Sequence, residues 1–137
     1  MFLLDTNVIS ELRRPRSANA NVLNWAAKVG QSDLYLSAIT LFEIELGARQ
    51  IERRDKRQGA ILRDWIDSRV MPSFVGRILP VDALVAVRCA QLHVPNPRPE
   101  YDALIAATAL VHGLRVVTRN VKDIAPMGVA VVNPFEP

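Results

Sequence analysis

The chain opens on three apolar residues, Phe2-Leu3-Leu4, that stop abruptly at Asp5. A run this short and this apolar predicts a buried strand. Val22, Trp25, Ala26 and Val29 then recur at i, i+3, i+4 and i+7, the spacing of one helix face, and Gly30 stops the pattern. Leu34 to Leu36 predicts a second strand, after which Ser37 caps a helix running to about Arg53. Ile61, Leu62, Trp65, Ile66 and Arg69 share another helical face. A third strand is predicted over Arg77 to Val81, and Asp82 caps a helix from Ala83 to about His93. Pro95, Pro97 and Pro99 forbid helix and make a stiff loop. Tyr101 to His112 is an Ala-rich helix ended by Gly113, and Val116–Val117 and Val129–Val132 supply the last two strands.

Strands alternating with helices argue for βαβ units, hence an α/β fold with a central parallel sheet. The length of 137 residues fits one domain spanning 1–137. Half the residues are hydrophobic but only 6% are aromatic, so the core is built from Val, Leu, Ile and Ala, as suits a parallel sheet covered by helices. In such sheets ligands bind beyond the carboxyl ends of the strands. Asp5 and the segment Thr118-Arg119-Asn120 each follow a strand directly, so both are placed to face one crevice.

Composition removes several chemistries. A single cysteine, Cys89, excludes an internal disulfide, and its neighbours Val85, Ala86 and Leu92 mark it as a buried structural thiol. With two separated histidines, His93 and His112, the usual zinc ligand sets are missing. The start lacks a basic segment and its apolar run ends at Asp5, unlike a signal peptide, and no apolar stretch approaches membrane-spanning length. The expectation is a soluble cytoplasmic protein with no membrane contact. The net charge of +3 is compatible with a polyanionic partner but is too small to argue for one.

Four acidic positions carry the candidate chemistry. Asp5 is placed either to cap a helix or to work in the crevice. Glu43 lies beside an apolar stripe made by Ile39, Thr40, Leu46 and Gly47, where an unpaired carboxylate is costly. It therefore needs a partner, an Arg or a metal ion, whereas Glu45 points elsewhere and reads as solvated. Asp102 is in the first turn of the Ala-rich helix, where the helix dipole alone would favour it; the small residues Ala103, Ala106, Ala107 and Ala109 let that helix pack closely and carry Asp102 toward the sheet. Asn120 and Asp123 fit ordinary turn chemistry equally well. Taken together, carboxylates converging at one end of a sheet cannot all ionise without a cation between them. Oxygen ligands without His or Cys select a hard ion such as Mg²⁺ or Mn²⁺, which can bind a phosphate oxygen and activate a water.

These residues also lie in a recognisable pattern. The opening Leu-Leu-Asp5-Thr-Asn-Val-Ile-Ser-Glu11, the segment Leu-Ser-Ala-Ile-Thr-Leu-Phe-Glu43-Ile-Glu-Leu-Gly47, the helix start Tyr101-Asp102-Ala-Leu-Ile-Ala-Ala-Thr-Ala and the stretch Val-Thr118-Arg-Asn120-Val-Lys-Asp123 resemble, in order and spacing, the four motifs of PIN-domain toxins of VapBC and FitAB toxin–antitoxin pairs. The ending Val-Val-Asn-Pro-Phe is similar to that of the Fit-type toxins. The resemblance covers nearly the whole chain. It implies a three-layer α/β/α PIN-like domain, an Mg²⁺- or Mn²⁺-dependent endoribonuclease, a homodimer, and an inhibitory antitoxin that makes any DNA contact. Carried over by position, it implies that Asp5, Glu43 and Asp102 ligate the metal. Relatives place the fourth acid at position 120 or three residues later; here position 120 is Asn, so Asp123 is assigned as the fourth carboxylate, with Thr118 and Asn120 assisting.

Two basic groups complete the picture. Arg13, Arg14 and Arg16 flank Pro15 in the loop beyond the first helix and are candidates for RNA phosphate contact. Arg49, Arg53, Arg54, Lys56 and Arg57 gather at a helix end as a solvated face, a contact for an acidic partner, or an RNA track. The alternative reading is a module that only binds its partner within a DNA-bound complex, although the chain carries no evident DNA-reading motif. An aspartate-based phosphatase would need a second acid two positions after Asp5, where this chain has Asn7.

Overall fold

The computed structural model describes residues 1–137. Five strands form one parallel sheet: β1 (Phe2–Leu4), β2 (Leu34–Ser37), β3 (Ile78–Leu79), β4 (Arg115–Val117) and β5 (Val131–Val132), in the order β3-β2-β1-β4-β5. The helices are α1 (Thr6–Glu11), α2 (Ala20–Lys28), α3 (Ala38–Arg54), α4 (Lys56–Trp65), α5 (Met71–Ser73), α6 (Ala83–Leu92), α7 (Glu100–His112) and α8 (Val121–Ile124). A π-helical turn at Ile66–Val70 joins α4 to α5.

Alternation along the central strands sorts side chains into two cores. Leu3 and Val116 face one side, where they join Val85 and Cys89 of α6 and Ala103, Ala106 and Ala107 of α7. Leu4 and Val117 face the other, with Val8 and Ile9 of α1, Val22 of α2 and Ile44 and Ala48 of α3. This is the three-layer arrangement expected from the sequence, a parallel sheet flanked by helices. Cys89 is buried, as its apolar neighbours implied.

The local signals act as the sequence suggests. Ser37 Oγ accepts from the Ile39 amide at the start of α3, and Asp82 Oδ1 accepts from the Val85 amide at the start of α6. Gly113 ends α7 at φ 68°, a left-handed conformation that costs glycine little. The third strand is shorter than the expected Arg77–Val81, because Pro80 has no amide to continue the ladder beyond Leu79. The last strand is likewise trimmed from Val129–Val132 to Val131–Val132, although the Ala130 carbonyl still accepts from the Val116 amide at 2.9 Å. One expectation is overturned. Glu45 is not free in solvent: its two oxygens accept from both terminal nitrogens of Arg63 at 2.8 and 2.6 Å, clamping α3 to α4.

Candidate active site

The adjacency of β1 and β4 brings Asp5 and Thr118 together, each one residue past its strand. The Asp5 amide donates to the Val117 carbonyl at 2.9 Å, and the Thr118 amide donates to Val132 at the same distance, so the sheet ladder itself fixes both backbones. Asp5 is 5% exposed and its oxygens divide their work. Oδ1 accepts from the Thr6 amide at 2.8 Å, starting α1. Oδ2 accepts from the Thr118 hydroxyl at 2.7 Å and from Asn7 Nδ2 at 3.2 Å. The cap and the crevice position are thus the same residue.

Glu43 reaches the same edge from α3. It is half-buried and its Oε1 accepts from the Thr6 hydroxyl at 2.7 Å, with the Thr40 hydroxyl 3.5 Å from that of Thr6. No Lys or Arg pairs with it; the arginine on this helix pair belongs to Glu45. Asp102, in the first turn of α7, accepts from Asn120 Nδ2 at 3.2 Å, and the Asn120 amide donates to the Thr118 hydroxyl at 2.9 Å. Asp123 is half-buried in α8 and close enough for its charge to act on Asp102.

The electrostatics follow from this crowding. Burial, above all, pushes the Glu43 carboxyl above the ordinary carboxylate range; the Thr6 hydroxyl opposes it, and the Asp5 and Asp102 charges add to it. Burial likewise raises Asp102, reinforced by Asp5 and Asp123. None of the four acids forms a salt bridge. As they stand, no three close round one point at metal-ligand distance. The all-oxygen donors and the lack of a Lys or Arg partner fit a hard divalent ion better than they fit a structural salt bridge.

The other candidates are placed less specifically. Thr118 and Asn120 are at the centre of the network. Arg13 is half-buried, and burial first, then neighbouring Arg14, lowers its guanidinium from the ordinary value; Arg14 and Arg16 are exposed, and no hydrogen bond or ion pair ties the three to the carboxylates. In the second basic group, Arg49, Arg53 and Lys56 line a shallow surface hollow with Glu52, away from Asp5 and Asp102 in the contacts they make. The sequence assigns no role in the site to Thr6, Asn7 or Thr40. Asn7 joins three parts of the site, donating to Asp5 and, at 3.3 Å, to Thr118, and accepting from the Arg119 amide at 3.1 Å. Its only sequence signal was its position two residues after Asp5.

A family model described as PIN domain matches residues 2–124. Toxin FitB of Neisseria gonorrhoeae is 40% identical over 140 residues, covering 98% of this chain and 99% of that protein. VapC ribonuclease Y4jK of Sinorhizobium fredii is 35% identical over 142 residues, covering 100% of this chain and 99% of the relative. The solved crystal structure of FitAcB from Neisseria gonorrhoeae matches with a TM-score of 0.91 at 38% identity, with 100% of each chain covered. The sequence pattern, the parallel sheet and the acid-lined strand ends therefore have one common account: this chain belongs to the PIN-domain family.

Proposed function

We propose that this chain is a divalent-metal-dependent endoribonuclease, folded as one PIN-like domain over residues 1–137 and acting in the cytoplasm as the toxin of a toxin–antitoxin pair. The observation that carries this reading is the set of unpaired carboxylates Asp5, Glu43 and Asp102 at the carboxyl end of the sheet, held by neutral hydroxyls and amides and by no Lys or Arg side chain. Relatives of full length that are named as a toxin and as a ribonuclease support it.

Asp5, Glu43, Asp102 and Asp123 would hold Mg²⁺ or Mn²⁺, with Thr118 and Asn120 assisting. Such an ion supplies charge to a phosphate oxygen and lowers the pKa of a bound water. The chain's own part is positioning. Thr118 and Asn7 fix the rotamer of Asp5, Thr6 fixes Glu43, and Asn120 fixes Asp102. Arg13, Arg14 and Arg16 would contact RNA phosphates. An antitoxin would be the inhibitory partner and would make any contact to DNA. Leu84 and Val87, one turn apart on α6 and 68% and 61% exposed, support pairing with a second copy.

The test is direct. Purified chain, freed of any partner, is expected to cleave RNA in Mg²⁺ or Mn²⁺ and to stop on addition of EDTA. Undiminished cleavage in EDTA would overturn the metal mechanism.

A further inference from the structure

The chain has four Phe, two Trp and two Tyr. Phe74 is buried, and Phe2, Trp25, Trp65, Phe135 and Tyr35 pack against the two cores. Only Phe42 and Tyr101 stay outside both, 45% and 43% exposed. Each directly precedes a site carboxylate, Phe42 before Glu43 on α3 and Tyr101 before Asp102 on α7. Although they come from different helices, their rings meet, with centroids 5.6 Å apart and planes at 74°. Tyr101 also lines a cleft of about 410 Å³ with Glu43, Pro99, Glu100 and Asp102. Its hydroxyl has no hydrogen-bond partner within the chain, whereas most polar groups around Asp5 do.

Aromatic surface left in water is not stabilising, and the other six rings are buried or half-buried. A T-shaped pair engages the face of one ring and the edge of the other, which leaves further ring surface open. The acids of the cleft repel phosphates unless a cation intervenes, so a group flanking the phosphate is held best there by contacts that do not depend on charge. Flat, uncharged groups that accompany phosphates are nucleobases. Stacking on an aromatic ring contributes about 1–3 kcal/mol per base and is open only to bases not already stacked in a duplex.

The geometry points to Phe42 and Tyr101 as a stacking platform for an unpaired base of the RNA strand, next to the bond that is cut. The inference rests on the ribonuclease reading and adds two residues, neither of them acidic, that would hold the substrate beside the carboxylates. The two rings hold the base, and the adjoining Glu43 and Asp102 face the backbone that follows it. Because stacking does not read base edges, the platform selects strand state and sequence only weakly.

Steady-state cleavage of a single-stranded oligoribonucleotide, with Mn²⁺, tests this in the parent, Phe42→Ala, Tyr101→Ala and Tyr101→Phe chains. Each Ala variant is expected to raise KM by about 10-fold or more, with kcat within about twofold of the parent. Tyr101→Phe keeps the ring and is expected to match the parent. Binding is read separately, by anisotropy of the labelled strand in an Asp5→Asn background where it is not cut. There an abasic substitution in the strand should lose about the same factor as the Ala variants and be insensitive to them. Parental KM and affinity in both Ala variants would overturn the platform. So would equal cleavage of fully duplex RNA, or a change confined to oligomeric state or antitoxin affinity. If the parent cleaves and binds no RNA, the ribonuclease reading fails and the platform with it.

Discussion

At Asp5 one side chain both starts a helix and faces the crevice, and its two oxygens can be separated by substitution. Asp5→Asn keeps an acceptor for the Thr6 amide but loses the charge beside Thr118. It is expected to abolish cleavage and leave the fold intact, checked by RNA cleavage and thermal melting. Asp102→Asn should also abolish cleavage, and its effect on stability depends on pH. Glu43 and Asp102 both hold protons more tightly folded than unfolded, chiefly through burial. A carboxyl raised in this way contributes stability that is full below the ordinary range near pH 4 and is lost as pH rises through the raised value. In EDTA, Asp102→Asn is therefore expected to raise Tm at about pH 7 and to lose that advantage at about pH 4, and Mg²⁺ should raise the parent's Tm more than the variant's. Much lower melting of both variants, with no Mg²⁺ effect on the parent, would restore capping and packing as the whole role of these acids. The fourth acid is separable as well. Asp123→Ala should slow cleavage by about 10²-fold or more, and Asn120→Ala by less, because only the first removes a charge facing the ion. A parental rate and metal midpoint in Asp123→Ala, with a dead Asn120→Ala, would move the assignment to Asn120. Asp5 and Asp102 are candidates in the sequence because a strand end and a helix start mark them, and Glu43 because an apolar stripe runs beside it. Thr6, Asn7 and Thr40 are not, since their work depends on knowing that β1 lies beside β4 and that α3 reaches the same edge.

Among the elements, the helices were read more fully than the edge strands. Caps and periodicity are local, so Ser37, Asp82 and Gly113 marked their boundaries correctly. The length of an edge strand is set by its neighbour and by donors such as the one Pro80 lacks, which periodicity does not report. The misreading of Glu45 has the same origin, because the packing of α4 on α3 is a tertiary fact. That packing rests on Gly59, where an added Cβ would come within 2.4 Å of Glu52 Cα and Cβ. Gly59→Ala is expected to push the helices apart and cost about 1–3 kcal/mol. At Gly47, also within a helix, an added Cβ meets nothing within 4 Å. Gly47→Ala should instead stabilise by about 0.5–1 kcal/mol, from helix propensity alone. Urea melts of the two variants against the parent check the pair, and a Gly59→Ala chain as stable as Gly47→Ala would show that the close approach is not required.

Across the whole molecule, charge is distributed unevenly. The chain carries a net +3, yet Asp5, Glu43, Asp102 and Asp123 gather toward the carboxyl edge of the sheet without a salt bridge, while much of its arginine lies in the Arg13–Arg16 loop and the Arg49–Arg57 segment. The strand order, with β1 and β4 adjacent at the centre, makes this possible by gathering residues 5, 43, 102 and 118 from distant parts of the sequence. An edge of that kind attracts any compact cation. On the proposed reading a metal ion would satisfy it during catalysis, and a guanidinium could satisfy it otherwise, since its planar fork donates two hydrogen bonds to one carboxylate and stays charged at any working pH. An inhibitory partner is therefore expected to place an Arg among Asp5, Glu43 and Asp102 and to compete with the ion. Raising Mn²⁺ should then weaken inhibition, and replacing that Arg with Ala should relieve it more than Lys does, because Lys keeps the charge but not the fork. Lys and Ala losing inhibition equally would point to the fork rather than the charge. Co-expression with the partner, a structure of the complex and inhibition measured over a Mn²⁺ series test the idea together. A partner that inhibits tightly, is indifferent to Mn²⁺ and leaves the carboxylates open and metal-filled would rule it out.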